Sequence, residues 1–185
     1  MQIKDSIDIE APRARVFSAL TDVEILKTSI PGCESLEALD EMKYSAIVLS
    51  KIGPLKLRFK GQAQLLDIVE PESYTIKGEG SGGPAGRAKV TARVTLQENN
   101  NSTTLTYDVN AEVGGKLAQL GGSLLSNTAK KLAAQFFKNF NETMQNPGTT
   151  SSPSANFVKN TPKKSYKLLI IIALFFSGLS VIILL

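Results

Sequence analysis

Apolar residues follow two different rhythms along this chain, and one further stretch has no rhythm at all. Residues 2–9 place Ile3, Ile7 and Ile9 on one side, a loose period of two that predicts a strand. Pro12 follows, a residue accepted in the first turn of a helix because an N–H there would lack an intrahelical partner. Val16, Phe17 and Leu20 then share one face and predict a short helix; residues 23–27 predict a second, ending before Ile30-Pro31-Gly32. From Glu34 onward strands dominate, cut by Gly53-Pro54, Pro71-Glu72, Gly82-Gly83-Pro84 and the polar run 98–101. After Gly114-Gly115 the period becomes helical to about Met144, with Leu117, Leu120, Leu124, Thr128, Leu132, Phe136 and Phe140 expected on one face. The order is strand, two short helices, about six strands and a long helix, an α+β arrangement whose short late connections predict an antiparallel meander.

The late strands alternate cleanly enough to name their inward residues. One offers Tyr74, Ile76, Gly78 and Gly80, the next Gly86 to Leu96 at every second position, the third Leu105, Tyr107, Val109, Ala111 and Val113. The intervening positions are mostly polar, as on a sheet wet on one face. Antiparallel pairing brings the small residues together at one end and the large ones at the other. A sheet wrapped on a helix with Gly and Ala at one end leaves volume there, which native cores do not keep without reason. The long helix starts at that end with Gly121-Gly122, each costing about 1 kcal/mol against Ala inside a helix. The expectation is an apolar cavity for an apolar ligand. Its candidate residues are Ile30 and Pro31 at the mouth, Gly78, Ala88 and Ala111 on the sheet, and Leu117, Leu124 and Thr128 on the helix. The alternative is a filled interior in which the glycines only permit close packing.

The stretch without rhythm is residues 168–185, LLIIIALFFSGLSVIILL, 18 residues without a charge. As a helix it would span roughly 27 Å, close to the thickness of a hydrocarbon core. It predicts a C-terminal transmembrane anchor. Residues 146–167 are rich in Pro, Gly, Ser, Thr, Asn and Lys and predict a flexible linker, averaging roughly 25 Å end to end as a coil. The domain expected is therefore 1–145. All 17 acidic residues and 17 of the 21 basic ones fall in it, so the net +4 comes from Lys159, Lys163, Lys164 and Lys167. These lysines flank the apolar run on its N-terminal side, which places the domain on the cytoplasmic side and favours anionic lipid by about 1 kcal/mol each near the surface. A basic tail on a neutral domain does not indicate nucleic acid.

There is no His, and Cys33 is the only cysteine. Catalysis by Ser-His or Cys-His pairs and metal sites built from clusters of these residues are therefore excluded. Carboxylate, Lys and Tyr chemistry stay open, but no two carboxylates are pinned together by local spacing. The glycine-rich run 78–86 joins two strands, unlike a phosphate loop, and reads as a hairpin connection. Lys56, Arg58 and Lys60 alternate on one strand, as on a solvated face or a docking patch for an acidic partner.

The element order resembles that of the START-like, polyketide-cyclase-like helix-grip fold, whose sheet wraps the last helix around a hydrophobic cavity. More specifically, residues 1 to about 145 resemble the carbon-monoxide dehydrogenase G-subunit family. The stretches that carry this are Ile30-Pro31-Gly32-Cys33-Glu34-Ser35-Leu36, Lys51-Ile52-Gly53-Pro54, Phe59-Lys60-Gly61, the run GSGGPAG at 80–86, and Gly115-Lys116-Leu117-Ala118-Gln119-Leu120-Gly121. The resemblance implies an accessory protein that recruits a molybdenum-containing dehydrogenase of the carbon-monoxide or xanthine type to the membrane. It also implies a quinone carried in the cavity, with no covalent cofactor. No catalytic residues carry over. Three readings follow: a tethered carrier, a purely structural recruiter with a filled core, and a cyclase or hydrolase acting on a hydrophobic substrate.

Overall fold

In the computed structural model, which describes residues 1–145, every alternating stretch is a strand. They are β1 (Gln2–Ile9), β2 (Cys33–Ala38), β3 (Lys43–Ile52), β4 (Leu55–Val69), β5 (Ser73–Ser81), β6 (Arg87–Asn99) and β7 (Ser102–Val113). They form one antiparallel sheet in the order β1-β7-β6-β5-β4-β3-β2. Tight turns join β2 through β7 as a meander. Only the link from β1 to β2 crosses from one sheet edge to the other, and it does so through α1 (Arg13–Ala19) and α2 (Val23–Ser29). The linker 146–167 and the apolar run 168–185 lie outside the described residues. Among the described residues no helix is long and apolar enough to cross a membrane.

Local chemistry explains these boundaries. Asp22 caps α2, its carboxylate accepting from the Glu24 and Ile25 amides at 2.9 and 3.0 Å. Such a cap contributes about 1 kcal/mol. Between β5 and β6, Gly83–Ala85 form a single 3₁₀ turn, so the glycine-rich run is a hairpin connection. The sheet's inward face is mostly apolar, with Asp5 of β1 and Ser50 of β3 among the exceptions, and α3 (Gly122–Gln145) covers it, packed beside α2.

The long helix departs from the sequence expectation in two ways. Residues Gly115–Leu120 form a 3₁₀ segment, and the α-helix begins only after Gly121, whose φ of 83° breaks the spiral. That break resets the phase. The buried stripe is Leu125, Ala129, Ala133, Phe136, Phe137, Phe140 and Met144. Leu124, Thr128 and Leu132, expected to face inward, are one position off this stripe and remain at least partly exposed. A single period run on from Leu117 misses the reset, and Ala129 and Ala133 give a weaker hydrophobic signal than the leucines beside them.

Bulk is distributed unevenly inside. At the end where β5 starts, Phe17 meets Tyr74 edge-on at 5.8 Å and Tyr107 stacks on Phe137 at 5.8 Å. Phe136 packs against both Phe137 and Phe140. At the opposite end the two 3₁₀ turns close over the sheet, where the backbones of Gly86 and Gly114-Gly115 touch. A Cβ on Gly86 would sit 2.2 Å from the Gly114 carbonyl oxygen, and its φ is 133°.

Gly86→Ala is therefore expected to destabilise the domain by at least about 1–3 kcal/mol from backbone strain, before the clash is added; urea unfolding measures it. The tyrosines set an alkaline limit. Burial, with Asp40 for Tyr44 and Asp5 for Tyr107 adding to it, pushes both phenols up to about 12. Their contribution is fully present below the ordinary phenol value near 10 and is lost as pH rises from there through about 12, because only the unfolded chain ionises freely. Unfolding midpoints should fall across that window, and less steeply in Tyr44→Phe and Tyr107→Phe.

Candidate functional site

Strand register lines the small inward residues up in two rows. In the first, Tyr44 of β3 opposes Ala63 of β4, followed by Gly78 of β5, Val90 of β6 and Ala111 of β7. One step towards the β3–β4 hairpin the row reads Ala46, Gly61, Gly80, Ala88 and Val113. Gly78, Ala88 and Ala111 thus come together as the alternation implied. Ala46, Gly61 and Ala63 join them from strands whose inward residues the sequence reading did not name. The signal was present: Phe59, Gly61, Ala63 and Leu65 are alternate residues of one strand.

Several side chains close over this end. Leu117 and Ala85, one from each 3₁₀ turn, are buried, and Ile30 is buried just after α2 while Pro31 is half-exposed. The Phe59 ring lies 3.0 Å from where a Cβ on Gly82 would be. The rim is at the β3–β4 hairpin. There Leu55 and Leu57 face inward but are only partly buried. Leu124 is 36% exposed and rests on Gly53, its Cδ2 being 3.0 Å from a Cβ built there. Thr128, one turn along, is half-exposed and donates its hydroxyl to the Leu124 carbonyl at 2.8 Å. Of the eight expected residues, Ile30, Ala88, Ala111 and Leu117 are buried, Pro31 and Gly78 are half-buried, and Leu124 and Thr128 lie on the rim.

Among the described residues, every buried polar side chain of the interior is a hydroxyl of Ser, Thr or Tyr. Two of these, Ser50 Oγ and Tyr74 Oη, have no hydrogen-bond partner. Ser50 lies opposite Leu57, near the rim, and Tyr74 lies in the aromatic half. Complete burial holds the Tyr74 phenol well above its usual range, so it stays a neutral donor. A buried hydroxyl left without a partner costs about 1–3 kcal/mol. In an apolar interior such a donor suits an acceptor oxygen such as a carbonyl. Cys33, at the start of β2, is half-buried, and burial raises its thiol, which reduces its nucleophilic thiolate form.

Comparison with known proteins gives a family and a fold. The profile of the carbon monoxide dehydrogenase G-subunit (CoxG) family matches residues 6–145. A conserved protein from Geobacillus kaustophilus of known structure is 34% identical, with a TM-score of 0.74, covering 78% of this chain and 95% of its own. A Thermus thermophilus protein is 17% identical at a TM-score of 0.56, covering 80% of this chain and 100% of its own. A Mycobacterium smegmatis protein is 14% identical at a TM-score of 0.60, covering 80% and 92%. The last two likenesses concern the fold. No curated protein matches the chain.

If Tyr74 Oη is unpartnered in the ligand-free protein, Tyr74→Phe should leave its stability unchanged or slightly raised, since only an unsatisfied donor is removed. A loss above about 1 kcal/mol in urea unfolding of lipid-stripped protein would show that the hydroxyl is already bonded.

Proposed function

Because the chain belongs to the carbon monoxide dehydrogenase G-subunit (CoxG) family, we propose that it is a membrane-tethered accessory protein without catalytic chemistry of its own. In this reading it holds a molybdenum-containing dehydrogenase of the carbon-monoxide or xanthine type at the cytoplasmic face of the membrane. It also carries a quinone between bilayer and enzyme. The observation that supports the ligand part is the unequal size of the side chains that the sheet turns inward. The stacked aromatic rings occupy one half, while Gly61, Ala63, Gly78, Gly80, Ala88 and Ala111 line the other with Tyr44 and Phe59 at its margin, beneath a rim of partly exposed leucines. A quinone is apolar but carries carbonyl oxygens, and the unpartnered Ser50 hydroxyl near the rim suits such an acceptor. The tether part rests on the uncharged run 168–185 and its lysine flank.

A second reading, a structural recruiter with a filled core, draws support from the side chains over the small-residue end. Leu117 is fully buried there, and Phe59 packs onto Gly82. Enlarging small residues separates the two. With a filled core, Gly78→Leu and Ala111→Leu overpack and cost about 1–3 kcal/mol. With a carrier, both fold at near wild-type stability and lose bound quinone. Solvent extraction of the full-length protein purified from its membrane should yield quinone in near-stoichiometric amount. Extracts free of any isoprenoid would rule out the carrier.

A further inference from the structure

The opposite face of the same sheet is built for a different contact. Outward side chains on neighbouring strands are brought into rows by register. Lys60 of β4, Ser81 of β5 and Arg87 of β6 form one, and Gln62, Glu79 and Lys89 the next. Lys43, Gln64, Lys77 and Thr91 form a third. Two adjoining grooves of about 470 and 330 Å³ run between these rows, sharing Gln62, Glu79 and Lys89. Their side chains supply five cations, Lys43, Lys60, Lys77, Arg87 and Lys89, against the single carboxylate of Glu79.

Some cations near this face are engaged; most of those in the trough are not, and neither, among the described residues, are Lys51 and Lys56 at the β3–β4 hairpin. Arg13 sits between Glu72 and Glu98, Arg58 pairs with Glu34, and Arg93 donates to Ser73 and Thr75. In the trough Lys43 is paired with Asp40, but among the described residues Lys60, Lys77, Arg87 and Lys89 are in no ion pair. Like charges gathered on one sheet face repel, so their concentration opposes folding slightly. The domain has no net charge, yet five of its 17 cations gather here around Glu79 alone, with Glu112 of β7 across from Lys89 at the border.

The shape and surroundings choose the occupant. Strands β3 to β6 are each paired on both sides, so nothing can be added to the sheet and recognition must come from side chains. Arg87 and Lys89 are alternate residues of one strand, about 7 Å apart, the spacing at which an extended chain presents every second side chain. A flat anionic bilayer fits poorly: the same outward face continues onto β7 and β1 with Asp108, Glu112 and Asp8 against Lys4 alone, an excess of carboxylates that a lipid surface would repel. Single-stranded nucleic acid would want aromatic rings to stack on, and the outward positions of β3 to β7 have none. The chain's own residues 146–185 carry four lysines and no Asp or Glu, so they are repelled.

We propose that this trough docks an extended acidic segment of a partner protein, through Lys60, Lys77, Arg87 and Lys89. Only the identity of that partner as the dehydrogenase rests on the accessory reading above. The probe is a short fluorescent peptide alternating Glu and Ser, titrated by anisotropy against the full-length protein in neutral detergent. Saturable binding is expected, weakened about tenfold or more by the double variant Lys60→Glu/Lys89→Glu, and weakened again by salt. Lys130→Glu, an exposed change on α3, should leave it unaltered. Circular dichroism melting confirms that the double variant is folded. No saturable binding to the wild type, or equal binding by the double variant, overturns the proposal. So does an effect confined to phosphatidylglycerol vesicles, which would make the bilayer the occupant. A molybdenum-containing dehydrogenase that co-purifies equally with the wild type and Lys60→Glu/Lys89→Glu would remove the trough as its dock yet leave recruitment standing. Peptide binding without any such co-purification would do the reverse.

Discussion

A single sheet with one apolar face must be covered, and here the cover is limited to one long helix and two short ones. Everything else in the domain answers to that constraint. The sheet has seven strands, and its inward face is wider than one helix can cover by close contact. Long aromatic side chains bridge the distance on one side, with Tyr107 reaching from the sheet to stack on Phe137 of α3. On the other side the sheet contributes mostly Gly and Ala, and the closure comes from 3₁₀ turns and the ends of loops. Burial of large side chains is thereby concentrated in the aromatic half. The small-residue half is where exchange of contents would cost the fold least.

Much of this was legible before any coordinates. Period-two alternation locates β5 to β7 because each has one wet face, and turn residues at Pro71-Glu72, Gly82-Gly83-Pro84 and 98–101 bound them. The gathering of Gly78, Ala88 and Ala111 followed from antiparallel pairing alone. The rest needed register or conformation. Nothing in residue type marks Gly121, rather than Gly114 or Gly122, as the point where the helical phase restarts. The stripe containing Leu124 and Thr128 was therefore set one position away from Leu125 and Ala129. Of the charged trough, the alternation of Lys56, Arg58 and Lys60 on one strand holds only Lys60. Its other members come from β3, β5 and β6, and no local pattern says which cations will be neighbours across strands.

Both faces of the sheet depend on the same few backbone positions. Gly61 and Gly80 oppose one another, so they place no side chain on the inward face and also form part of the floor of the outer trough. Ala88 does likewise on β6, with only a methyl group turned inward. The candidate interior site and the basic trough are thus separated by one layer of strand. A change in how the interior is filled near Gly80 acts on a backbone that carries Lys60, Glu79 and Arg87 on its other side. Interiors packed to crystal-like density transmit such changes instead of absorbing them.

The charge distribution adds a direction to this geometry. Carboxylates concentrate where β4 ends and β5 begins, at Asp67, Glu70 and Glu72, with Glu98 close by; α3 ends on that side, where Arg15 donates to the Met144 carbonyl. Lys60 and Arg87 of the trough, with Lys51, Lys56 and Lys116, lie towards the hairpin and the 3₁₀ turns, the side on which the leucine rim opens, while Lys43 and Lys77 lie farther from it. The described chain therefore leaves the domain at Gln145 from its acidic end, while the rim and the trough share the basic one. A ligand entering past Leu55, Leu57 and Leu124 and a partner held on Lys60 and Arg87 would meet at the same end of the molecule, on opposite faces of one sheet.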